Sequence, residues 1–200
     1  MNSTNKPRAC RAEMGFTMVE MIVVIAIIFI LAGMAIISIN GSLPGQQSAA
    51  GLNAAVAVFR NGRDTAIAER RYFQLNIPAV PANNQIGLLR LNVTGGNTQL
   101  AVVTLPAPAQ FGLDASVTVA PPESGLATPS TCSNGLCFGG TPTQTWQPDG
   151  TFVDASGQPL TAVVYVMVPG NPSAQRAFTI LGSTGRIRTY RWTGSQWILQ

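Results

Sequence analysis

The chain has 200 residues, 12 of them basic and 8 acidic, for a formal charge of +4, and its 46% hydrophobic content is too high for a disordered chain. It contains no histidine, which excludes hydrolases with a histidine base, histidine-ligated zinc and haem, and most proton shuttles. Lys6 is the only lysine, so no Schiff-base or phosphate-loop lysine follows it, and neither an enzyme nor a cofactor is expected.

In chain order, the charges are unevenly spread. Lys6, Arg8 and Arg11 stand in the first 15 residues against Glu13; Glu20 follows, and no further charge occurs before Arg60. Met21 to Ile39 is an uncharged apolar run with Ser38 as its one strongly polar residue. At about 1.5 Å per residue, a helix over 16–40 reaches roughly 37 Å, enough to cross a hydrocarbon layer of about 30 Å. The basic residues precede it, which places the N-terminus in the cytoplasm and the remainder outside. A removable secretory signal fits poorly: the apolar run is too long, and the best small-residue triplet, Ser48-Ala49-Ala50, lies beyond Pro44. The expectation is a retained single-pass inner-membrane anchor. Ala26, Ala32, Gly33 and Ala35 are small enough for close helix contacts.

Gly15-Phe16-Thr17-Met18-Val19-Glu20 joins the basic leader to the apolar helix. This junction resembles the class III signal of type IV prepilins and type II secretion pseudopilins. The resemblance implies a leader, residues 1–15, removed by a prepilin peptidase between Gly15 and Phe16, with N-methylation of Phe16. A carboxylate such as Glu20 is costly in an apolar helix, by about 2.5–3.5 kcal/mol at mid-bilayer and less near the interface. Cleavage puts a positive amine one turn away, and in a bundle of such helices that amine and a neighbour's Glu20 can neutralise each other. The plain alternative is a carboxylate wetted at the membrane edge.

Asn40-Gly41-Ser42-Leu43-Pro44-Gly45 reads as a break or kink. Over 46–71 helical spacing returns, with Leu52, Val56, Phe59, Ala66 and Ile67 as the apolar stripe and the charged residues as a solvated face. From Tyr72 the period becomes that of strands, expected over 72–77, 85–93, 98–105, 115–120, 161–168, 175–181, 185–192 and 195–199. Asp149-Gly150 and Thr193-Gly194 suggest tight hairpins, and the proline-rich stretch 106–150 reads as a long irregular insertion. The fold class is α+β and pilin-like: a long N-terminal helix, its membrane half 16–40 and amphipathic half 46–71, packed on an antiparallel β-rich periplasmic domain, 72–200.

The helix segment Asp64-Thr65-Ala66-Ile67-Ala68-Glu69-Arg70, then Trp146-Gln147-Pro148-Asp149-Gly150, and finally Ile180-Leu181-Gly182-Ser183-Thr184-Gly185-Arg186-Ile187-Arg188 are together similar to the GspH/FimT group of minor pilins and pseudopilins. The likeness is loose over 78–145. Membership implies assembly with other pilins or pseudopilins.

Cys10 falls in the leader; Cys132 and Cys137 are then an even pair in an oxidising space, expected as a disulfide, with two free thiols as the alternative. From Arg176 to Gln200 there are four arginines, Arg176, Arg186, Arg188 and Arg191, and no acid. In an extended 185–192, Arg186, Arg188, Tyr190 and Trp192 share one face, with Ile187, Thr189 and Arg191 on the other. Arginines beside aromatics suit nucleic acid, the guanidiniums for phosphate and the rings for bases. Gly185-Arg186-Ile187-Arg188 resembles a Gly-Arg-x-Arg motif associated with DNA binding in FimT-like pilins, which implies Arg186 and Arg188 as phosphate contacts supported by Arg191 and Arg176. Against this, the turn and arginines can serve only to cap and protect the sheet, and Trp192 and Trp197 can be core. Residues after Gly15 carry nine basic and seven acidic groups, so no broad basic field exists.

Two functions follow: a minor type IV pilin at or near the pilus tip, priming assembly and binding DNA during uptake, or a minor pseudopilin of type II secretion with no nucleic-acid role. Asp114, Asp149, Asp154 and Glu123 are the acids beyond the helix, and turn chemistry accounts for the scattered aspartates, leaving an anchored enzyme without catalytic groups.

Overall fold

In the computed structural model the described residues are 16–76, 84–92, 96–125, 129, 135–137 and 144–200, with only the backbone described over 36–40. Two compact units are separated between Gly41 and Ser42. The long helix α1 covers Met18–Glu69. It opens on a capping turn in which Thr17 Oγ1 accepts the Glu20 N–H at 3.2 Å, the helix-start half of a Thr-x-x-Glu pattern. Its close is equally local. Arg70 turns left-handed at φ 53°, and the Arg71 N–H reaches back to the Ala66 carbonyl at 3.2 Å, which ends the helix short of Arg71.

The expected break at 40–45 does not interrupt the helix, which keeps Pro44 inside it. Proline removes one helical N–H. Just past the proline, a side chain from far along the chain meets the helix: Arg176 donates from Nη2 to the Gly45 carbonyl at 3.0 Å and from Nε to Ser48 Oγ at 2.9 Å.

Eleven strands follow α1 among the described residues: β1 Phe73–Asn76, β2 Gln85–Arg90, β3 Thr98–Thr104, β4 Gln110–Phe111, β5 Leu136–Cys137, β6 Gln144–Trp146, β7 Phe152–Val153, β8 Ala162–Met167, β9 Arg176–Leu181, β10 Arg186–Trp192 and β11 Trp197–Leu199. One sheet runs β3-β2-β1-β6-β7; the other runs β11-β10-β9-β8-β4, with β5 also on β8. All the pairings are antiparallel. The expected strand over 115–120 is absent; these residues form turns and irregular backbone. The stretch 106–150, expected to be irregular, supplies β4, β5 and β6.

The main core lies between α1 and both sheets. Leu52, Val56, Phe59 and Ala66 of the helix meet Phe73, Leu75, Ile86, Leu88, Trp146, Phe152, Val164, Val166, Phe178 and Ile180. Phe59 stacks edge-on to Phe178 with ring centres 5.0 Å apart. Ile67, expected in the stripe, is 42% exposed at its margin. Strand β8 is buried on both faces: Val164 and Val166 point into this core, and Val163 and Tyr165 into a second cluster with Val117, Cys137, Ala177, Tyr190, Trp192 and Trp197. Two-sided burial explains why β8 reads as a continuous apolar run.

Candidate functional site

The N-terminal end of α1 is built from exposed apolar residues. Met18–Ala35 is long and apolar enough to cross a membrane, and none of it is buried within the molecule. Phe16 is 74% exposed, and Glu20 stands in the first turn of the helix, where the macrodipole favours an acid. Gly15 lies outside the described residues.

At the other end of the chain, the three sequence segments singled out above converge. Arg63 of α1 donates from Nε to the Gly150 carbonyl at 3.3 Å and from Nη2 to the Thr184 carbonyl at 3.2 Å, joining helix, β6–β7 turn and β9–β10 turn. Gly185 sits at φ 64°, and a Cβ there would lie 2.1 Å from the Gly150 carbonyl oxygen, so both the turn and the close approach require glycine. Beside this junction is an open cleft of about 350 Å3 edged by Arg60, Arg63, Asp64, Thr184, Gly185, Arg186 and Ile187.

The expected alternation along β10 is present. Ile187 packs on the main core, while Tyr190 and Trp192 lie in the second cluster. On that same side, Arg186 and Arg188 both engage Glu123: Arg186 Nη2 donates to Oε2 at 3.0 Å and Arg188 Nη1 to Oε1 at 2.5 Å. The rings are core rather than a stacking surface, because the segment 112–125 crosses this face. That strap is pinned by Gln175, fully buried, whose Oε1 accepts the Asp114 N–H at 3.0 Å and whose Nε2 donates to the Gly112 carbonyl at 3.0 Å. Trp197 Nε1 adds a bond to the Val119 carbonyl at 2.7 Å.

The four C-terminal arginines therefore do not act as one group. Arg176 is committed to Gly45, Ser48 and, from Nη1, Gln200 Oε1. Burial, and then the charge of Arg191, pull its guanidinium below the ordinary arginine value. Arg191 is exposed on the face of β10 opposite Arg186 and Arg188.

A model of the prokaryotic N-terminal methylation motif matches residues 11–36. The chain carries a prepilin-type N-terminal methylation motif. The match ends well before the β domain. No curated protein sequence matches the chain significantly. Two solved structures are similar to it at 14% identity and a TM-score of 0.48 each. The type IV minor pilin FimU of Pseudomonas aeruginosa covers 76% of this chain and 92% of its own. The minor pseudopilin EpsH from the type 2 secretion system of Vibrio cholerae covers 75% of this chain and 99% of its own.

Behind the methylation motif, Cys137 is buried in β5 and disulfide-bonded; Cys132, its expected partner, lies outside the described residues. The three aspartates form turns. Asp114 accepts the Ser116 hydroxyl and N–H, Asp149 those of Thr151, and Asp154 the N–H groups of Ser156 and Gln158. The Ser116 and Thr151 hydroxyls, then the backbone N–H groups, hold Asp114 and Asp149 below the usual carboxylate range, which suits turn anchors and not proton donors. Among the described residues no cluster of acids and cysteines could hold a metal. The sequence reading missed Glu123 and Arg63. Each acts across more than 60 residues of chain, and nothing local marks such a pairing.

Proposed function

We propose that this chain is a minor type IV pilin, processed between Gly15 and Phe16, methylated on Phe16 and set into a filament by the apolar half of α1. One observation carries this reading: the methylation motif over 11–36 contains a helical segment, Met18–Ala35, that is exposed throughout and long and apolar enough to cross a membrane. In the filament Glu20 neutralises the amine of a neighbouring Phe16 and fixes axial register. The N-terminus starts in the cytoplasm and the β domain in the periplasm, where Cys132 pairs with Cys137. Deleting the gene in its host tests the assignment. The expected result is loss of surface pili with protein secretion intact. Retained exoproteins with normal pili would instead make the chain a type II secretion pseudopilin, and no change in either would remove both readings.

A second reading, DNA binding at the tip, is favoured by one arrangement. Arg186 and Arg188 remain 46% and 36% exposed, and Arg186 also edges the cleft lined by Arg60, Arg63 and Asp64. Full-length protein in nonionic detergent should then bind duplex DNA with a log–log salt slope of about −3, from three or four phosphate contacts. Changing Arg186 and Arg188 together to Gln should remove most of the binding. Equal binding by both proteins would leave the arginines as sheet structure.

A further inference from the structure

Glu123 is a non-glycine residue at φ 66°, held in the left-handed region where its two carboxylate oxygens each meet a different guanidinium. Backbone outliers of this kind persist where the surrounding structure imposes them, and they concentrate at ligand clamps. A carboxylate bridging two arginines occupies them as the two free oxygens of a phosphodiester would, since both anions match the guanidinium fork. We propose that Arg186, Arg188 and the adjoining cleft form one anion site, that Glu123 is its internal occupant, and that a phosphodiester strand binds by displacing it. This rests on the DNA-binding reading and adds its regulation.

The surroundings fit a displaceable occupant. Gln175, Val117 and Trp197 pin the strap upstream, so the carboxylate can leave while those contacts stay. Arg186 also edges the cleft, where Asp64 is the one acid against three arginines; Arg63 is committed to two carbonyls, but Arg60 makes no hydrogen bond or ion pair among the described residues. A single carboxylate ligand would only exchange with Glu123, at a disadvantage to a group tethered in place. A strand of phosphates gains more: one replaces Glu123 between Arg186 and Arg188, and an adjoining one meets Arg60.

The test compares full-length wild type, Glu123→Gln, Asp114→Asn, Arg186→Gln/Arg188→Gln and the triple variant in nonionic detergent, titrating a fluorescent DNA duplex at fixed salt. Asp114→Asn removes the same charge from the same strap without freeing the arginines. Glu123→Gln should bind about threefold to tenfold more tightly than wild type, the scale of two exposed ion pairs. Asp114→Asn should match wild type, and the triple variant should lose the gain. If wild type binds through Arg186 and Arg188 but Glu123→Gln binds no better, or Asp114→Asn gains as much, Glu123 is no competitor and the inference falls while the DNA reading stands. If no protein binds, Glu123→Gln included, or binding ignores the arginines, the DNA reading falls and takes the inference with it.

Discussion

The two halves of α1 have the same backbone and opposite fates. Over Met18–Ala35 every residue is exposed and the last charge is Glu20; over the segment from Ser42 to Glu69, Leu52, Ala55, Val56, Phe59 and Ala66 are buried against the sheets. An amphipathic helix settles its apolar stripe on its own domain, whereas a helix apolar all round has no intramolecular partner large enough. The difference teaches that, among the described residues, only the second half is packed. On the proposed reading, lipid or other helices cover the first.

The strongest way to break that contrast is truncation on each side. Phe59→Ala should cost the β domain about 3–5 kcal/mol, the range for a buried phenylalanine, because its ring fills the space between Phe178 and Phe152. Ile25→Ala, in the exposed half, should change unfolding by less than about 0.5 kcal/mol. Denaturant unfolding of full-length protein in detergent, followed by tryptophan fluorescence, reads both. Equal losses would mean that the two halves are buried alike.

Glycines offer the next contrast. Gly185→Ala forces a Cβ against the Gly150 carbonyl in a left-handed turn, which should cost about 2–5 kcal/mol from backbone strain and overpacking together. Around Gly33 nothing lies within 4 Å, so Gly33→Ala should raise intrinsic helix stability by about 1 kcal/mol in the unassembled protein. The same unfolding curve for Gly185→Ala and wild type would show that the junction of Arg63, Gly150 and Thr184 is loose.

These contrasts also mark what the sequence could disclose. Helix α1 and the longer strands β2, β3, β8, β9 and β10 were legible because hydrophobic period is a local signal. Strand β10 even disclosed which residues share a face. Strands β6 and β7 were not, being only 3 and 2 residues long and defined by pairing with β1 and with each other. Pro44 inside a helix and the turns at 115–120 escaped for the same reason. The helix there is met by Arg176, 131 residues from Gly45, and Val117 is apolar because it covers the second cluster, not because it belongs to a strand. At the site, Arg186 and Arg188 were legible by motif, but their shared partner Glu123 was fixed only by the folded path of the strap.

Arg176 sharpens the contrast where the packed half of α1 starts. Arg176→Met keeps much of the buried stem and removes the bonds to Gly45 and Ser48. The expected loss is about 1.5–3 kcal/mol, the scale of hydrogen bonds to a charged group, since Ser48 Oγ still donates to the Gly45 carbonyl at 3.0 Å and neither group is left unpaired. Hydrogen exchange should rise first at residues 45–48. Protection there unchanged from wild type would mean that the Arg176 bonds do not hold this turn.

Tyr165 should give the smallest effect at neutral pH and tests the side of β8 that faces away from α1. Its hydroxyl is buried and makes no hydrogen bond among the described residues, so Tyr165→Phe should change stability by less than about 1 kcal/mol, because no bond is lost. Burial raises its pKa above the ordinary value of 10.0. Above that value the unfolded chain releases the proton while the folded chain keeps it, so stability present below about pH 10 falls as pH rises. Wild type should therefore lose more stability than Tyr165→Phe between about pH 9 and pH 11, a difference absent at neutral pH. Parallel curves for the two proteins would mean that Tyr165 ionises as freely folded as unfolded, and that the strap does not seal the second cluster from water.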